Sequence, residues 1–239
     1  MPRLGPRDVR AWFASTDVFA DPARVARACG WLDEAERHRF DRFRHDVDRH
    51  MFLLGRAMSR AIVGRLDDVS PTAWRWREGP HGRPEIAAAT DLRFNLAHSA
   101  GLVVCAAARG RDVGVDVEDL ARRPVEPEIV PRYCAPREAA DIRACGAAGW
   151  HARFLAYWTL KEAYLKALGL GISVPLAEIE FSLGPPPTVA FLGSLTGGDD
   201  RWWFHLGPVS PRHLVAVAAG AADGAPALEI APFPETWLP

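Results

Sequence analysis

The sequence predicts an α+β fold built from two pseudo-symmetric α/β halves in one chain. In each half the longest helical stretch precedes a group of β segments, and "LVVCAAARG" at 102–110 resembles "LVAVAAGAA" at 214–222. Such self-similarity indicates a duplicated unit, although strands rich in Ala and Val also resemble one another by chance. No low-complexity linker divides the chain, so we expect the halves, 1–112 and 113–239, to share an interface that holds the functional site.

The first half begins with a strand pattern over 8–15 and continues with helical spacing and helix-start acids in 21–40. Residues 46–65 carry an apolar face that predicts a long helix, which Ser70-Pro71 would stop. Strand patterns then occupy 72–79, 92–99 and 101–110.

The second half opens with a strand that carries Asp116 and Glu118, followed by Pro-punctuated helical pieces over 121–147. A long helix over 149–168 ends at Gly169, a typical residue just past a helix C-terminus. Further β segments are predicted at 176–183, 188–193, 201–207 and 212–220.

The composition is that of a globular protein, with 49% apolar and 25% charged residues. A net charge of -1 provides no basic field, which argues against a general nucleic-acid binder. No apolar run approaches the ~20 residues that span a membrane, and "MPRLGPRDVRAW" lacks the features of a signal peptide. Four cysteines without CxxC spacing indicate reduced packing residues of a cytoplasmic protein.

Two carboxylates, Asp116 and Glu118, fall on one face of their predicted strand. Neighbouring acids repel unless a positive charge lies between them. With Glu162 from an adjacent helix they would form an all-oxygen site for a hard cation, and Mg2+ is usually held by few carboxylates plus substrate phosphates. We therefore predict a magnesium site; the alternative for the first two acids is the solvent face of a strand.

Only two of the 29 basic residues are lysines, Lys161 and Lys166, and both lie in "WTLKEAYLKALG". Helical spacing places Trp158, Glu162 and Lys166 along one face of a largely apolar helix, where charges must be paired or in use. An ammonium is a point donor whose pKa shifts readily, so Glu162 and Lys166 are candidate catalytic residues. Chance grouping, or an ordinary i,i+4 ion pair, is the alternative.

Phosphate-binding groups are predicted in the first half. From Arg37 to Arg65 the chain has eight arginines and three aspartates, and guanidinium groups bind phosphates in bidentate fashion. The motif "FNLAHS" places His98 at the end of a strand, where an imidazole reaches a ligand in a cleft. A solvated helix face and a structural histidine are the alternatives. The candidate arginines are Arg37, Arg39, Arg49, Arg56 and Arg83.

Four motifs resemble, in order and spacing, those of the 4′-phosphopantetheinyl transferases. They are "GRP" at 82–84, "FNLAHS" at 94–99, "GVDVED" at 114–119 and "FLAYWTLKEAYLKALGLGI" at 154–172. A lone D-x-E is weak, but W-x-x-K-E-x-x-x-K at this distance after it is specific. The chain is most similar to the larger, surfactin-synthetase-activating type, and a looser likeness extends the resemblance to about 40–172.

The resemblance implies a monomeric enzyme that transfers the phosphopantetheine arm of coenzyme A to a serine of apo acyl or peptidyl carrier proteins, releasing 3′,5′-ADP. Such carriers serve pathways such as polyketide or nonribosomal peptide biosynthesis. It implies that Asp116, Glu118 and Glu162 hold Mg2+ and that Glu162 and Lys166 are catalytic. The residues it assigns to coenzyme A are Arg39, Arg49, Arg56, Arg83, His98 and Lys166.

The chain departs from the family pattern twice. Ala97 stands where the family commonly has Ser before the motif histidine, and Met51 stands where it has an arginine before "LLG". Arg49 or Arg56 would take over the role of that arginine. Two other functions stay open from the residues: a nucleotide-using Mg2+-dependent transferase that takes ATP, and a non-enzymatic interaction protein whose acids and arginines are surface charges.

Overall fold

The computed structural model describes residues 4–79, 84–88, 90–171, 174–195, 201–221 and 224–239. The chain divides into two units, one of Met1–Gly110 with Ala227–Pro239 and one of Arg111–Pro226. The division falls beside the predicted boundary at 112/113. The last segment, 227–239, differs from the expectation: it lies in the first unit because its strand pairs with the first strand of the chain.

The first unit contains a four-stranded sheet and a short hairpin. The sheet strands are β1 (Asp8–Ser15), β4 (Leu92–Ser99), β5 (Leu102–Arg109) and β11 (Ala227–Pro232), and the hairpin strands are β2 (Trp76–Glu78) and β3 (Pro84–Ile86). The sheet order is β11-β1-β5-β4. β5 is antiparallel to both of its neighbours, whereas β1 and β11 are parallel.

This unit has three α-helices: α1 (Pro22–Cys29), α2 (Glu34–Asp41) and α3 (Asp46–Asp67). α3 packs on β4 and β5, and α1 and α2 pack on α3. Asp33 and Glu36 form a reciprocal capping box that satisfies backbone N–H groups at the start of α2. The buried apolar side chains of α3 form much of the core, together with those of β4 and β5. They include Leu53, Leu54, Ala57, Met58, Ile62 and Val63.

The second unit contains a three-stranded antiparallel sheet of β6 (Val113–Asp119), β9 (Trp202–Pro208) and β10 (His213–Gly220), in the order β6-β10-β9. A hairpin joins β7 (Ile179–Ser182) to β8 (Thr188–Phe191). The helices are α4 (Val130–Tyr133), α5 (Pro136–Ala144) and α6 (Gly146–Leu168). α6 packs on β6 and β10, and it ends at Gly169 in the left-handed conformation, as predicted.

The two units share one topology. Each has a first strand, a long helix and then two strands, and each sheet has the order first, last, middle: β1-β5-β4 and β6-β10-β9. The central strands, β5 and β10, are the two segments whose sequences resemble each other. The predicted α+β fold with two related halves is therefore confirmed.

Local differences from the expectations have local causes. The pattern over 72–79 yields a strand only at Trp76–Glu78, and the segment 176–183 starts with a 3-10 helix at Leu176–Glu178 before β7. β11 was not predicted, since its partner β1 lies more than 200 residues away along the chain.

The cysteines Cys29, Cys105, Cys134 and Cys145 are all free thiols. Among the described helices, none has the length and apolar character needed to cross a membrane.

Candidate active site

A close approach of β6 to α6 assembles the site in the second unit. Gly114 permits it, because a Cβ at this position would lie 2.0 Å from the Ala163 carbonyl oxygen and 2.4 Å from the Ala167 backbone nitrogen. Any larger residue would force strand and helix apart. Two residues after Gly114, Asp116 therefore lies beside the C-terminal turns of α6.

Asp116 is buried, with 6% of its surface exposed, and its Oδ1 accepts a hydrogen bond from Lys166 Nζ at 2.5 Å. Its Oδ2 is buried without a hydrogen-bond partner among the described residues. Burial raises the pKa of Asp116 to about 6 against the opposing effect of Lys166, and the charges of Glu118 and Glu162 contribute in the same direction as burial. The solvent-face alternative for this strand is thus wrong for Asp116.

Two further carboxylates belong to the same electrostatic cluster. Burial raises the pKa of Glu162, with Lys166 opposing and Glu118 adding to the shift, and Glu162 Oε1 is also buried without a partner in the described part of the chain. Glu118, 8% exposed, accepts a hydrogen bond from Arg122 Nη1 at 2.8 Å. The positive groups that compensate Asp116 and Glu118 are therefore Lys166 and Arg122, respectively.

The predicted metal ligands do not form a three-ligand cluster. Across the described residues, no group of three or more His, Cys, Asp or Glu side chains is close enough to hold a metal ion. The unpartnered oxygens of Asp116 and Glu162 are nevertheless hard donors, and Mg2+ commonly takes one or two carboxylates together with waters and phosphates. The donor set therefore fits Mg2+ at Asp116 and Glu162, whereas Glu118 is paired with Arg122.

Lys161 plays a different part from Lys166. It is fully buried, and its Nζ lies 2.6 Å from Glu138 Oε2 and donates to the carbonyl oxygens of Leu176 at 2.7 Å and Ile179 at 2.6 Å. Glu138 in turn accepts hydrogen bonds from the backbone N–H groups of Ala135 and Phe181. This pair connects α6 to α5 and to the start of β7.

A pocket of about 390 Å³ in the first unit brings together three of the predicted ligand-binding residues: Arg39, Arg56 and His98. Both guanidinium groups lie 5.3 Å from the centre of the Phe52 ring. Met51, the residue that departs from the family pattern, also lines this pocket.

Arg56 is the more constrained of the two guanidinium groups. Its Nε lies 3.4 Å from Glu36 Oε1, and burial lowers the pKa of Arg56, partly offset by Glu36. A guanidinium held in this way is oriented before any ligand arrives.

Two other predicted arginines, Arg49 and Arg37, are not among the described residues that line this pocket. Arg49 pairs with Asp46 at 2.6 Å and donates to the Phe43 carbonyl oxygen at 2.8 Å, and Arg37 donates to the Cys29 carbonyl oxygen. These contacts satisfy them within the first unit. Arg83 lies outside the described residues.

Comparison with known proteins identifies the family. Residues 20–110 match the model of the 4′-phosphopantetheinyl transferase N-terminal region, and residues 112–218 match that of the 4′-phosphopantetheinyl transferase superfamily. A phosphopantetheinyl transferase of Thraustochytrium sp. is 33% identical over 95% of this chain and 84% of its own length. The 4′-phosphopantetheinyl transferase Sfp of Bacillus subtilis is 27% identical over 82% and 86%. The 4′-phosphopantetheinyl transferase HetI of Nostoc sp. is 36% identical over 64% and 66%.

The chain belongs to the 4′-phosphopantetheinyl transferase family, which confirms the resemblance seen in its motifs. It transfers the phosphopantetheine arm of coenzyme A to carrier proteins, which is the activity of this family.

Sequence reasoning placed Asp116, Glu162 and Lys166 together, and the structure brings them together. It missed Gly114 and Glu138. The glycine inside a strand is a local signal of close backbone approach that was available in the sequence. Glu138 resembles an ordinary helix-start acid, and nothing near it in sequence indicates its buried lysine partner.

Proposed function

We propose that the chain transfers 4′-phosphopantetheine to a serine of apo carrier proteins in an Mg2+-dependent reaction that releases 3′,5′-ADP. The observation that supports the site is the cluster of Asp116, Glu162 and Lys166, in which two buried carboxylate oxygens have no partner among the described residues. Buried carboxylate oxygens without a hydrogen-bond partner are costly unless a ligand or a function uses them.

The proposed cation ligands are Asp116 and Glu162, with Glu118 joining them if its contact with Arg122 is released. Bound there, Mg2+ would supply Lewis-acid neutralisation of the charge that develops on the pyrophosphate. Burial, together with the neighbouring carboxylates, raises the pKa of Asp116 and of Glu162, and a bound cation would stabilise their ionised forms.

The reaction is an in-line displacement at the β-phosphorus of coenzyme A. The serine Oγ forms the new P–O bond while the bond between that phosphorus and the bridging oxygen breaks, and 3′,5′-ADP departs. Glu162 accepts the serine proton, either directly or through a water that it orients. Lys166 stabilises, or protonates, the departing phosphate oxygen.

The pocket of Arg39, Arg56 and His98 is proposed to bind the nucleotide end of coenzyme A. Two guanidinium groups and an imidazole suit phosphate oxygens, and both guanidinium groups contact the Phe52 ring, which helps to hold them in place. Arg49 is dropped from this set because Asp46 and a backbone carbonyl engage it. The role of Arg83 stays a prediction from the motif alone.

Mass spectrometry of an apo carrier protein tests the function. After incubation with coenzyme A and Mg2+, the carrier should gain the mass of one phosphopantetheine group, and EDTA or Asp116→Asn should abolish the gain. Asp119→Asn is the matched control, since this neighbouring acid pairs with Arg212 instead of the cluster, and it should retain transfer. Transfer that persists unchanged in EDTA would overturn the metal assignment. Absence of transfer together with Mg2+-dependent ATP binding would favour the alternative nucleotide-using transferase.

A monomer is part of the proposal, because one chain carries both duplicated units. Light scattering coupled to size-exclusion chromatography, with and without coenzyme A, measures the state directly. A stable dimer in both conditions would contradict it.

A further inference from the structure

The ammonium of Lys166 lies where a cation bound by Asp116 is expected. Its Nζ is 2.5 Å from Asp116 Oδ1, whereas Asp116 Oδ2 and Glu162 Oε1 have no partner in the described chain. The Lys166 side chain is 30% exposed, so the ammonium stands at the edge of the cluster and is not locked into the core.

We propose that Lys166 competes with the divalent cation for Asp116 and exchanges Asp116 for the substrate phosphate when the cation binds. This inference rests on the proposed Mg2+ site. Without the cation, the ammonium compensates the buried carboxylate. With the cation present, the ammonium is released toward the coenzyme A pyrophosphate.

Elementary electrostatics supports the exchange. An ammonium at 2.5 Å from Asp116 and a divalent cation on the same carboxylate repel each other strongly in a partly buried site. Lysine has a flexible four-carbon stem and a compact charge, so a partly exposed lysine can move its charge by a few ångströms at low cost. Breaking this ion pair therefore subtracts from the affinity for the cation.

The exchange couples the two ligands. When the phosphate is present, the released ammonium gains a new partner, so the phosphate should recover part of the affinity that the cation loses. Linkage makes the effect reciprocal: each ligand strengthens the binding of the other by the same factor. A lysine that only binds phosphate would leave the affinity for the metal alone unchanged, and this difference separates the two roles.

Calorimetric titration of the full chain with Mg2+ alone, in the absence of coenzyme A, tests the proposal. Lys166→Met should bind Mg2+ about tenfold more tightly than the wild type, because the competitor is gone. Lys166→Arg keeps the charge and should stay close to the wild type. Arg153→Met is the matched control, since it removes one positive charge from the same helix at the pair with Asp141, and it should change nothing.

The enhancement of Mg2+ affinity by coenzyme A should also shrink in Lys166→Met. Equal or weaker Mg2+ binding by Lys166→Met than by the wild type would overturn the exchange and leave the proposed function standing. Wild-type protein that binds no Mg2+, with or without coenzyme A, would overturn the proposed metal site itself. Equal gains in Lys166→Met and Arg153→Met would show a general charge effect and would also overturn the exchange.

Discussion

Replacing Asp116 by Asn should leave the metal-free protein as stable as the wild type or more stable near neutral pH. Burial and two neighbouring carboxylates raise the pKa of Asp116 from 3.8 to about 6, even with Lys166 opposing. At about 1.4 kcal/mol per pKa unit, ionised Asp116 costs the folded state up to about 3 kcal/mol. Asn removes the charge and keeps the shape, so that cost should be recovered.

The contribution of Asp116 to stability should depend on pH in a defined direction. Between the ordinary carboxyl pKa and about 6, the folded state binds more protons than the unfolded state at Asp116, so its contribution to stability falls as the pH rises through this window. The advantage of Asp116→Asn should therefore be full at about pH 7.5 and nearly absent at about pH 3, where the wild-type carboxyl is largely protonated in both states.

Urea denaturation in EDTA, followed by the fluorescence of the nine tryptophans, measures this difference. The control is Asp119→Asn on the same strand. Hydrogen bonds from Arg212 are the main cause that lowers the pKa of Asp119, so this substitution should lower the stability at neutral pH. Opposite changes in stability for two acids on the same strand would exclude a general effect of removing an acid.

A clear loss of stability in Asp116→Asn at about pH 7.5 would refute the reasoning. Asp116 would then be a structural residue whose charge the fold needs, and the argument for a cation at this position would fail. A gain in stability with lost transfer activity is the expected combination.

The other predictions concern the helix and the pocket. Lys161→Met should lower the free energy of unfolding by about 3–5 kcal/mol, since it leaves Glu138 in the core without its counter-charge, and chemical denaturation measures this loss. Lys166→Met should fold normally and lower kcat by roughly 10²–10³. The activities of the two lysine variants must therefore be compared per folded molecule. A greater loss of kcat in Lys161→Met than in Lys166→Met after this correction would contradict the assignment of Lys166 as the catalytic lysine. Arg56→Met and His98→Ala should raise KM for coenzyme A by about tenfold and leave KM for the carrier nearly unchanged, and equal effects on both would argue against the pocket as the nucleotide site.

The sequence by itself determined the local elements and the family. The apolar face over 46–65 predicted α3, alternation over 8–15 predicted β1, and Gly169 marked the end of α6, because each of these depends on periodicity within a few turns. The acid and lysine motifs were likewise visible as spacing along one strand and one helix.

Only the tertiary structure decided which charge meets which. Lys166 pairs with an aspartate 50 residues away, and Lys161, five positions earlier on the same helix, pairs with the buried Glu138. β11 joins β1 across nearly the whole chain. Such partners follow from chain closure and from the need to compensate every buried charge, and neither leaves a periodic pattern in the sequence. The sequence thus identifies the charged residues of the site. The packing of β6 against α6 determines that Lys166 lies at the site with Asp116, whereas Lys161 pairs with Glu138 and holds the helix in place.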